Sequence, residues 1–201
     1  MKIKVDNLVL DFYQPDKERH SQPVLLIHGA GGTSRYWENY LNFFASQGWK
    51  TYAVNLRGHF PSGGEKSLAQ VTLEDYIEDV ELVTRRLHIE DSVLIGHSLG
   101  GLIAQKVAER NASFSGLVTL CSAPPMGIVL EVQNDVPYAE AFIKTMWGLI
   151  NMKPVKPTFA LAEKTVLNNI EPERREDVFE MFAVAIVLPV LLHYGFQLLG
   201  M

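Results

Sequence analysis

The chain of 201 residues is long enough for one domain with a substantial core and too short for two of ordinary size. Hydrophobic residues make up 47% and charged residues 20%, a composition typical of a globular chain rather than a disordered one. The net charge of -5 comes without a basic run, so we expect no nucleic-acid partner and little attraction to an anionic membrane.

Several features lead us to expect a soluble, cytoplasmic protein. The single cysteine, Cys121, cannot form an internal disulfide, which favours a reducing compartment. Residues 1–12 alternate polar and apolar side chains and do not form the continuous apolar stretch of an export signal. The longest apolar run, residues 182–192, contains Pro189 and is shorter than the about 20 residues that a transmembrane helix requires. We interpret this run as a buried or lid helix, with a membrane-surface contact as the alternative.

The first part of the chain predicts two strand regions, a helix and a further strand. Residues 2–13 predict a strand, or a hairpin that turns at residues 6 and 7. Residues 23–28 (PVLLIH) predict a short apolar strand, the pattern of a parallel sheet whose two faces are both covered. A helix is predicted over 36–47, with Gly48 as its terminating residue, and the next strand over 50–56 (KTYAVNL).

The alternation of helix and strand continues to residue 121. Thr72 predicts a helix N-cap, with Asp75 three residues later in a variant of the capping box. Apolar strands are predicted over 92–97 (SVLIGH) and 115–121 (SGLVTLC), with a helix over 99–110 between them. All four strands from residue 23 have the pattern of fully buried strands, but no further strand is found to cover the outer edge of the fourth. The fold class is therefore α/β, with three layers and a mostly parallel sheet. The helix after Thr72 has apolar residues at helical spacing: Leu73, Tyr76, Ile77, Val80, Val83 and Leu87.

The pentapeptide GHSLG at 96–100 directly follows a predicted strand and directly opens a predicted helix. This context predicts a sharp turn that presents the hydroxyl of Ser98 at the edge of the sheet. The turn also lies at a helix N-terminus, where free N–H groups and the helix dipole favour developing negative charge. Acyl transfer requires such a nucleophile and such donors. The alternative is a serine that merely caps the helix.

A second motif, HGAGG at 28–32, follows the first apolar strand. A glycine-rich loop at this position brings a backbone N–H beside the serine and completes an oxyanion hole. The alternative is a phosphate-binding turn, but the full GxGxxG pattern and a Walker lysine are both absent from this segment. No Cys/His cluster has the spacing of a metal site, so we expect neither a metal nor another cofactor.

Three motifs occur in one order: HGAGG at 28–32, NLRGH at 55–59 and GHSLGG at 96–101. With this order and spacing the chain resembles the α/β-hydrolase superfamily, in particular its serine esterases and lipases. The resemblance implies the N-terminal portion of the hydrolase core over 1–122 and a helical cap or lid over 123–201. Since no further apolar strand follows residue 121, the C-terminal strands of the fold are expected to be missing.

The resemblance also implies roles for individual residues. Ser98 is then the catalytic nucleophile, and the backbone amides of Ala30 and Leu99 bind the substrate oxyanion. The turn at 57–59 is structural and braces a loop near the site. Asn55 occupies a position where many relatives carry aspartate, a change that is tolerable because that residue is usually structural.

The general base of the serine, and the acid that orients this base, have no clear candidates. In the superfamily both follow the serine in sequence, on loops after later strands, so we expect them on sequence that this chain lacks. Asp135 and His193 follow Ser98 but are poor substitutes. His28 and His97 belong to the motif turns and are expected to support backbone, His59 belongs to the structural turn, and His20 and His88 are expected to be exposed.

The predicted function is a serine hydrolase that cleaves carboxylic esters with apolar groups through an acyl-enzyme on Ser98. The alternatives are a C–C bond hydrolase, a cofactor-free haloperoxidase, or a catalytically incomplete or non-catalytic binding module of the same fold. The methionine- and aromatic-rich cap suits an acyl chain or an aromatic ester, although the same residues can simply pack the cap on the core. Cys121 is expected to be a small buried hydrophobe. We also expect self-association through an uncovered sheet edge or the C-terminal helices.

Overall fold

The computed structural model describes residues 1–64, 68–123, 158–165 and 167–180. Within them, six strands form one sheet in the order β1-β2-β4-β3-β5-β6. The strands are β1 (Lys2–Val5), β2 (Leu8–Tyr13), β3 (Val24–Ile27), β4 (Thr51–Asn55), β5 (Val93–His97) and β6 (Gly116–Leu120). The α-helices are α1 (Glu38–Ser46), α2 (Leu73–Leu87), α3 (Leu99–Arg110), α4 (Phe159–Thr165) and α5 (Arg175–Glu180).

The sheet is parallel except at its N-terminal edge. Strands β1 and β2 form the predicted hairpin, with Asp6 in the left-handed region at the turn (φ 50°), and β2 runs antiparallel to β4. Strands β4, β3, β5 and β6 are all parallel. Because the carboxyl ends of parallel strands meet at one edge, the loops after β3, β4, β5 and β6 converge there.

Helices cover both faces of the sheet and give the predicted three-layer arrangement. Leu25 and Ile27 of β3 point into one apolar cluster, which contains the buried side of α2 and α3. Leu26, between them in sequence, points to the opposite face and packs with Trp37 and Leu41 from the α1 region. Successive side chains of β3 therefore enter apolar clusters on opposite faces of the sheet. Because both faces are covered, every residue of the strand is apolar.

The predicted N-terminus of α2 is confirmed at atomic detail. The Asp75 amide donates to the Thr72 hydroxyl (3.2 Å), and the Thr72 amide donates to the Asp75 carboxylate (2.8 Å), which is a reciprocal capping box. The helix ends at His88, whose left-handed backbone (φ 53°) turns the chain away. The ends of α2 are therefore determined by neighbouring residues in the sequence, and its apolar side chains pack it against the sheet.

Strand β6 has the apolar pattern of a buried strand but lies at the edge of the described sheet. Strand β6 pairs with β5 alone among the described residues, and Leu117 and Val118 remain 43% and 41% exposed. Cys121, expected to be buried, is exposed as well. The apolar sequence of a strand shows that it is suited to burial, but actual burial requires a neighbouring strand or helix to cover it. The described residues supply a strand on one side of β6 only.

The region predicted as a cap is described only in part. Helices α4 and α5 pack together through Phe159 and Phe179 (ring centroids 5.3 Å apart) and through an ion pair between Arg175 and Glu163 (2.9 Å). The division of the chain at residues 122 and 123 stays a prediction, and Asp135, His193 and residues 182–192 lie outside the described residues. In the part that the structure describes, no helix has both the length and the apolarity to cross a bilayer.

Candidate active site

Ser98 lies on the turn between β5 and α3 in a backbone conformation that serine rarely adopts (φ 53°, ψ −119°). Its amide donates to the Leu120 carbonyl (3.0 Å), and its own carbonyl accepts from Gly101 (3.0 Å) and Ala123 (2.9 Å). Its side chain makes no capping hydrogen bond to α3. An ordinary N-cap serine has extended backbone, and its hydroxyl oxygen accepts a hydrogen bond from a backbone N–H in the first turn of the helix, so this serine is not a simple cap.

Glycines allow β5 and α3 to approach closely at this turn. A Cβ on Gly96 would contact the Gly100 carbonyl oxygen and would lie 2.7 Å from the Gly101 Cα. A Cβ on Gly100 would contact the carbonyl oxygen of Ile27 in β3. These neighbours are backbone atoms, which cannot swing aside as a flexible side chain can. Close packing of strand on helix is thus the physical reason for the glycine pattern that surrounds Ser98.

The glycine loop, residues 28–32, lies directly against Ser98. A Cβ built on Gly29 would lie 3.0 Å from the Ser98 Cβ and 3.3 Å from the His97 Nδ1. The backbone amides of Ala30 and Leu99, the two predicted oxyanion donors, donate no hydrogen bond to any residue that the structure describes. Two donors without a described partner beside a half-buried serine form an arrangement that can stabilise negative charge on a bound carbonyl oxygen.

His28 is buried in the glycine loop, and both of its ring nitrogens have partners. Nε2 accepts from the Leu56 amide (3.1 Å), which places the ring proton on Nδ1, and Nδ1 lies 2.7 Å from the Gly29 carbonyl oxygen. Burial, reinforced by the neighbouring His59, lowers the pKa of His28 from 6.5 to about 3. A neutral ring with both nitrogens engaged supports backbone, as expected, and cannot serve as the base.

Residues 57–59 form a turn that α2 holds in place. The Arg57 guanidinium bonds Asp75 (2.7 Å) and Asp79 (2.8 Å), and the Arg57 amide also donates to Asp79 (2.8 Å). Burial raises the pKa of Asp79 above its ordinary value, while the hydrogen bonds from Arg57 lower it. His59 is 3% exposed and places its Nε2 2.8 Å from the Ala30 carbonyl oxygen. These contacts are structural and brace the glycine loop, as the resemblance implied.

Asn55 has the structural role expected for its position. Its Oδ1 accepts from the Ser34 amide (2.8 Å) and its Nδ2 donates to the Val9 carbonyl (2.9 Å). The side chain is fully buried. An amide serves both partners at once, whereas an aspartate would have no proton for Val9.

The other histidines provide no base for Ser98 in the described residues. His97 is half-buried, and burial lowers its pKa, but its ring makes no hydrogen bond to the described backbone, contrary to expectation. His20, expected to be exposed, is half-buried and stacks on Trp49 (ring centroids 3.8 Å apart), and His88 is exposed as predicted. Among the described residues, no group of three His, Cys, Asp or Glu side chains is arranged to hold a metal ion.

Comparison with known proteins gives the site its context. The profile of a family described as alpha/beta hydrolase fold matches residues 22–171. A non-heme chloroperoxidase from Streptomyces lividans is 31% identical over 126 residues, which are 62% of this chain and 45% of that protein. A triacylglycerol lipase from Pseudarthrobacter phenanthrenivorans is 32% identical over 111 residues, which are 52% of this chain and 34% of the lipase.

The solved structures agree on the fold. One from a study of carboxylesterases of Nitrososphaera gargenis has a TM-score of 0.64 at 20% identity, over 97% of this chain and 71% of that one. At this identity the similarity shows the fold alone. The match to each of the two curated relatives covers less than half of that relative's length.

Proposed function

This chain belongs to the α/β-hydrolase family, and on that basis we propose that it is a serine hydrolase of carboxylic esters with apolar groups. The observation that carries the proposal is the position of Ser98 between β5 and α3, at positive φ, with its hydroxyl uncommitted to the helix. The amides of Ala30 and Leu99, which have no partner in the described residues, support the same conclusion. No cofactor is required for this chemistry.

In the proposed reaction, the Ser98 Oγ attacks the ester carbonyl carbon while its proton passes to a base. Negative charge develops on the carbonyl oxygen, and the amides of Ala30 and Leu99 donate hydrogen bonds to it. Collapse of the tetrahedral intermediate expels the alcohol and leaves an acyl group on Ser98. Water then attacks the acyl-enzyme, releases the carboxylic acid and restores the serine.

The base and its orienting acid stay a separate prediction. The described histidines do not hydrogen-bond the hydroxyl of Ser98, so the proposed base lies outside the described residues. His193 is the histidine that follows Ser98 in this sequence, and further sequence of the kind found in longer relatives is the alternative source. The single cysteine supports a cytoplasmic location for the reaction.

Two other functions are each supported by one observation. The similarity to a non-heme chloroperoxidase favours a cofactor-free haloperoxidase. The lack of a described base at Ser98 favours a non-catalytic binding module of the same fold. Both alternatives keep the Ser98 turn between β5 and α3, but they differ from the esterase in their rate of ester hydrolysis.

The test combines an organophosphonate probe with p-nitrophenyl esters. We expect the probe to label Ser98 in any preparation that contains the whole fold, as located by peptide mapping, and Ser98→Ala to abolish labelling. Ser92→Ala is the matched control, because Ser92 lies at the other end of β5 and its buried hydroxyl has no hydrogen-bond partner in the described residues. Labelling of another residue, or unchanged labelling of Ser98→Ala, would contradict the proposal.

Ester turnover then separates the esterase from its alternatives. Since the described residues supply no base for Ser98, we expect weak hydrolysis by this chain, because loss of one triad member leaves only about 10³- to 10⁴-fold catalysis over water. A turnover of about 10 per second, the median of competent enzymes, would place a base within this chain, and His193→Ala would then identify it. Labelling without any ester turnover would favour the binding module.

A further inference from the structure

The glycine loop, residues 28–32, contains three glycines, at positions 29, 31 and 32. Glycine populates many backbone conformations, so the peptide planes of such a loop rotate easily unless something holds them. The proposed function requires one orientation only, in which the Ala30 N–H faces the oxygen that develops charge beside Ser98. A flipped plane between Gly29 and Ala30 would present a carbonyl oxygen to that charge.

His28 holds the first of the two relevant peptide planes. Its Nδ1–H lies 2.7 Å from the Gly29 carbonyl oxygen, which also accepts from the Gly32 amide (3.0 Å). In a trans peptide the C=O and the following N–H point in opposite directions. Two donors on the Gly29 oxygen therefore fix the direction of the Ala30 N–H. The ring itself is anchored, since its Nε2 accepts from the Leu56 amide (3.1 Å).

His59 holds the next peptide plane. Its Nε2 lies 2.8 Å from the Ala30 carbonyl oxygen, and its Nδ1 lies 3.2 Å from the Arg57 carbonyl oxygen, so the shorter contact places the proton on Nε2. Arg57 is itself fixed by Asp79 through the guanidinium and the backbone amide (both 2.8 Å). The position of His59 is thus set by α2, outside the loop that it restrains.

We propose that His28 and His59 act as a pair of positioning residues that lock two consecutive peptide planes of the glycine loop and so aim the Ala30 N–H at Ser98. This inference rests on the proposed function, because it assigns the aimed donor to the oxyanion of that reaction. Neither ring transfers a proton. Their effect on catalysis is to supply a donor that is already oriented before charge develops, which removes the need to reorganise a flexible loop.

Phenylboronic acid tests the aim of the donor without requiring a general base. The Ser98 Oγ bonds to boron, the hydroxyl proton leaves to solvent, and trigonal boron becomes a tetrahedral anion with an oxygen where the oxyanion would lie. Boron-11 NMR distinguishes the two geometries and gives a dissociation constant. Ser98→Ala should abolish the tetrahedral signal.

We expect His59→Ala to weaken the boronate by about tenfold to hundredfold, the cost of misplacing or losing one oriented donor. His59→Gln, whose amide can still donate to the Ala30 carbonyl, should recover most of that loss. Val83→Ala is the matched control, because Val83 is fully buried on α2 and has no part in the glycine loop. It should lower the free energy of unfolding without weakening the boronate.

The outcomes separate the inference from the proposed function. Equal boronate affinity in the native chain and His59→Ala would overturn the positioning pair while leaving Ser98 as the nucleophile. Absence of a Ser98 adduct would count against the proposed function instead. Nitrogen-15 NMR of the unmodified chain then decides the pair without any variant: a His28 proton on Nδ1 supports it, and one on Nε2 overturns it.

Discussion

The burial of His28 predicts a specific loss of stability in mild acid. The folded state lowers the pKa of His28 from 6.5 to about 3, chiefly because burial penalises the charged ring. Between pH 6.5 and about pH 3, His28 is protonated in the unfolded chain and neutral in the folded chain. Stability therefore falls as the pH falls below 6.5, and the contribution of His28 is complete only above that pH.

The magnitude follows from the width of that window. Each pH unit within it costs about 1.4 kcal/mol, so about 3 kcal/mol is lost between pH 6.5 and about pH 4.5. A domain of ordinary stability has about 5 to 15 kcal/mol in total, and the loss is therefore readily measurable. Asp79 opposes the trend, because a carboxyl group with a raised pKa favours the folded state as pH falls, and His97, whose pKa is lowered, acts in the same direction as His28.

A difference measurement isolates His28 from the other groups. Urea unfolding of the native chain and of His28→Asn, followed by tryptophan fluorescence at several pH values from about 7.5 to 4.5, gives two stability curves. His28→Asn should be less stable at neutral pH, and the gap should shrink by about 3 kcal/mol toward the acid end. Parallel curves would refute the claim that a buried neutral His28 controls the acid sensitivity.

Three further predictions concern other parts of the chain. Gly100→Ala should destabilise by about 3 kcal/mol or more in urea unfolding, because the new methyl group meets the backbone of β3; unchanged stability would contradict the close approach of strand and helix. Asn55→Asp should lower the melting temperature by several degrees, since the donor to Val9 is lost at a buried site and the cost is about 2 kcal/mol; an unchanged temperature would show that this bond is dispensable. Light scattering at several concentrations should show self-association of the 201-residue chain through the β6 edge, where Leu117 and Val118 are exposed; a monomer at all concentrations would exclude this.

The elements of the core were predictable because their signals are local. The hairpin turn at Asp6, the capping box of Thr72 and Asp75 and the helix end near Gly48 each depend on a few neighbouring residues. The same is true of the strand-to-helix turn at Ser98, which both of its flanks indicate. Such signals survive in a single sequence because the tertiary structure agrees with them rather than overriding them.

The partners of the site residues were not predictable from the sequence. His28, for instance, bonds the amide of Leu56, and His59 reaches the carbonyl of Ala30, 29 positions earlier in sequence. Nothing in the local pattern distinguishes a histidine that holds backbone from one such as His97, which has no hydrogen bond in the described residues. These pairings arise only when the ends of β3, β4 and β5 meet at one edge of the sheet.

The exposed thiol of Cys121 makes the chain convenient for site-selective labelling. It is the only cysteine in the sequence, so a maleimide dye or a nitroxide would attach at one defined position without any substitution. That position immediately follows β6, and two residues later the Ala123 amide donates to the carbonyl of Ser98 (2.9 Å). A reporter there would sense events at the turn that carries Ser98 in rapid-mixing or spin-resonance experiments, with no background signal from a second cysteine.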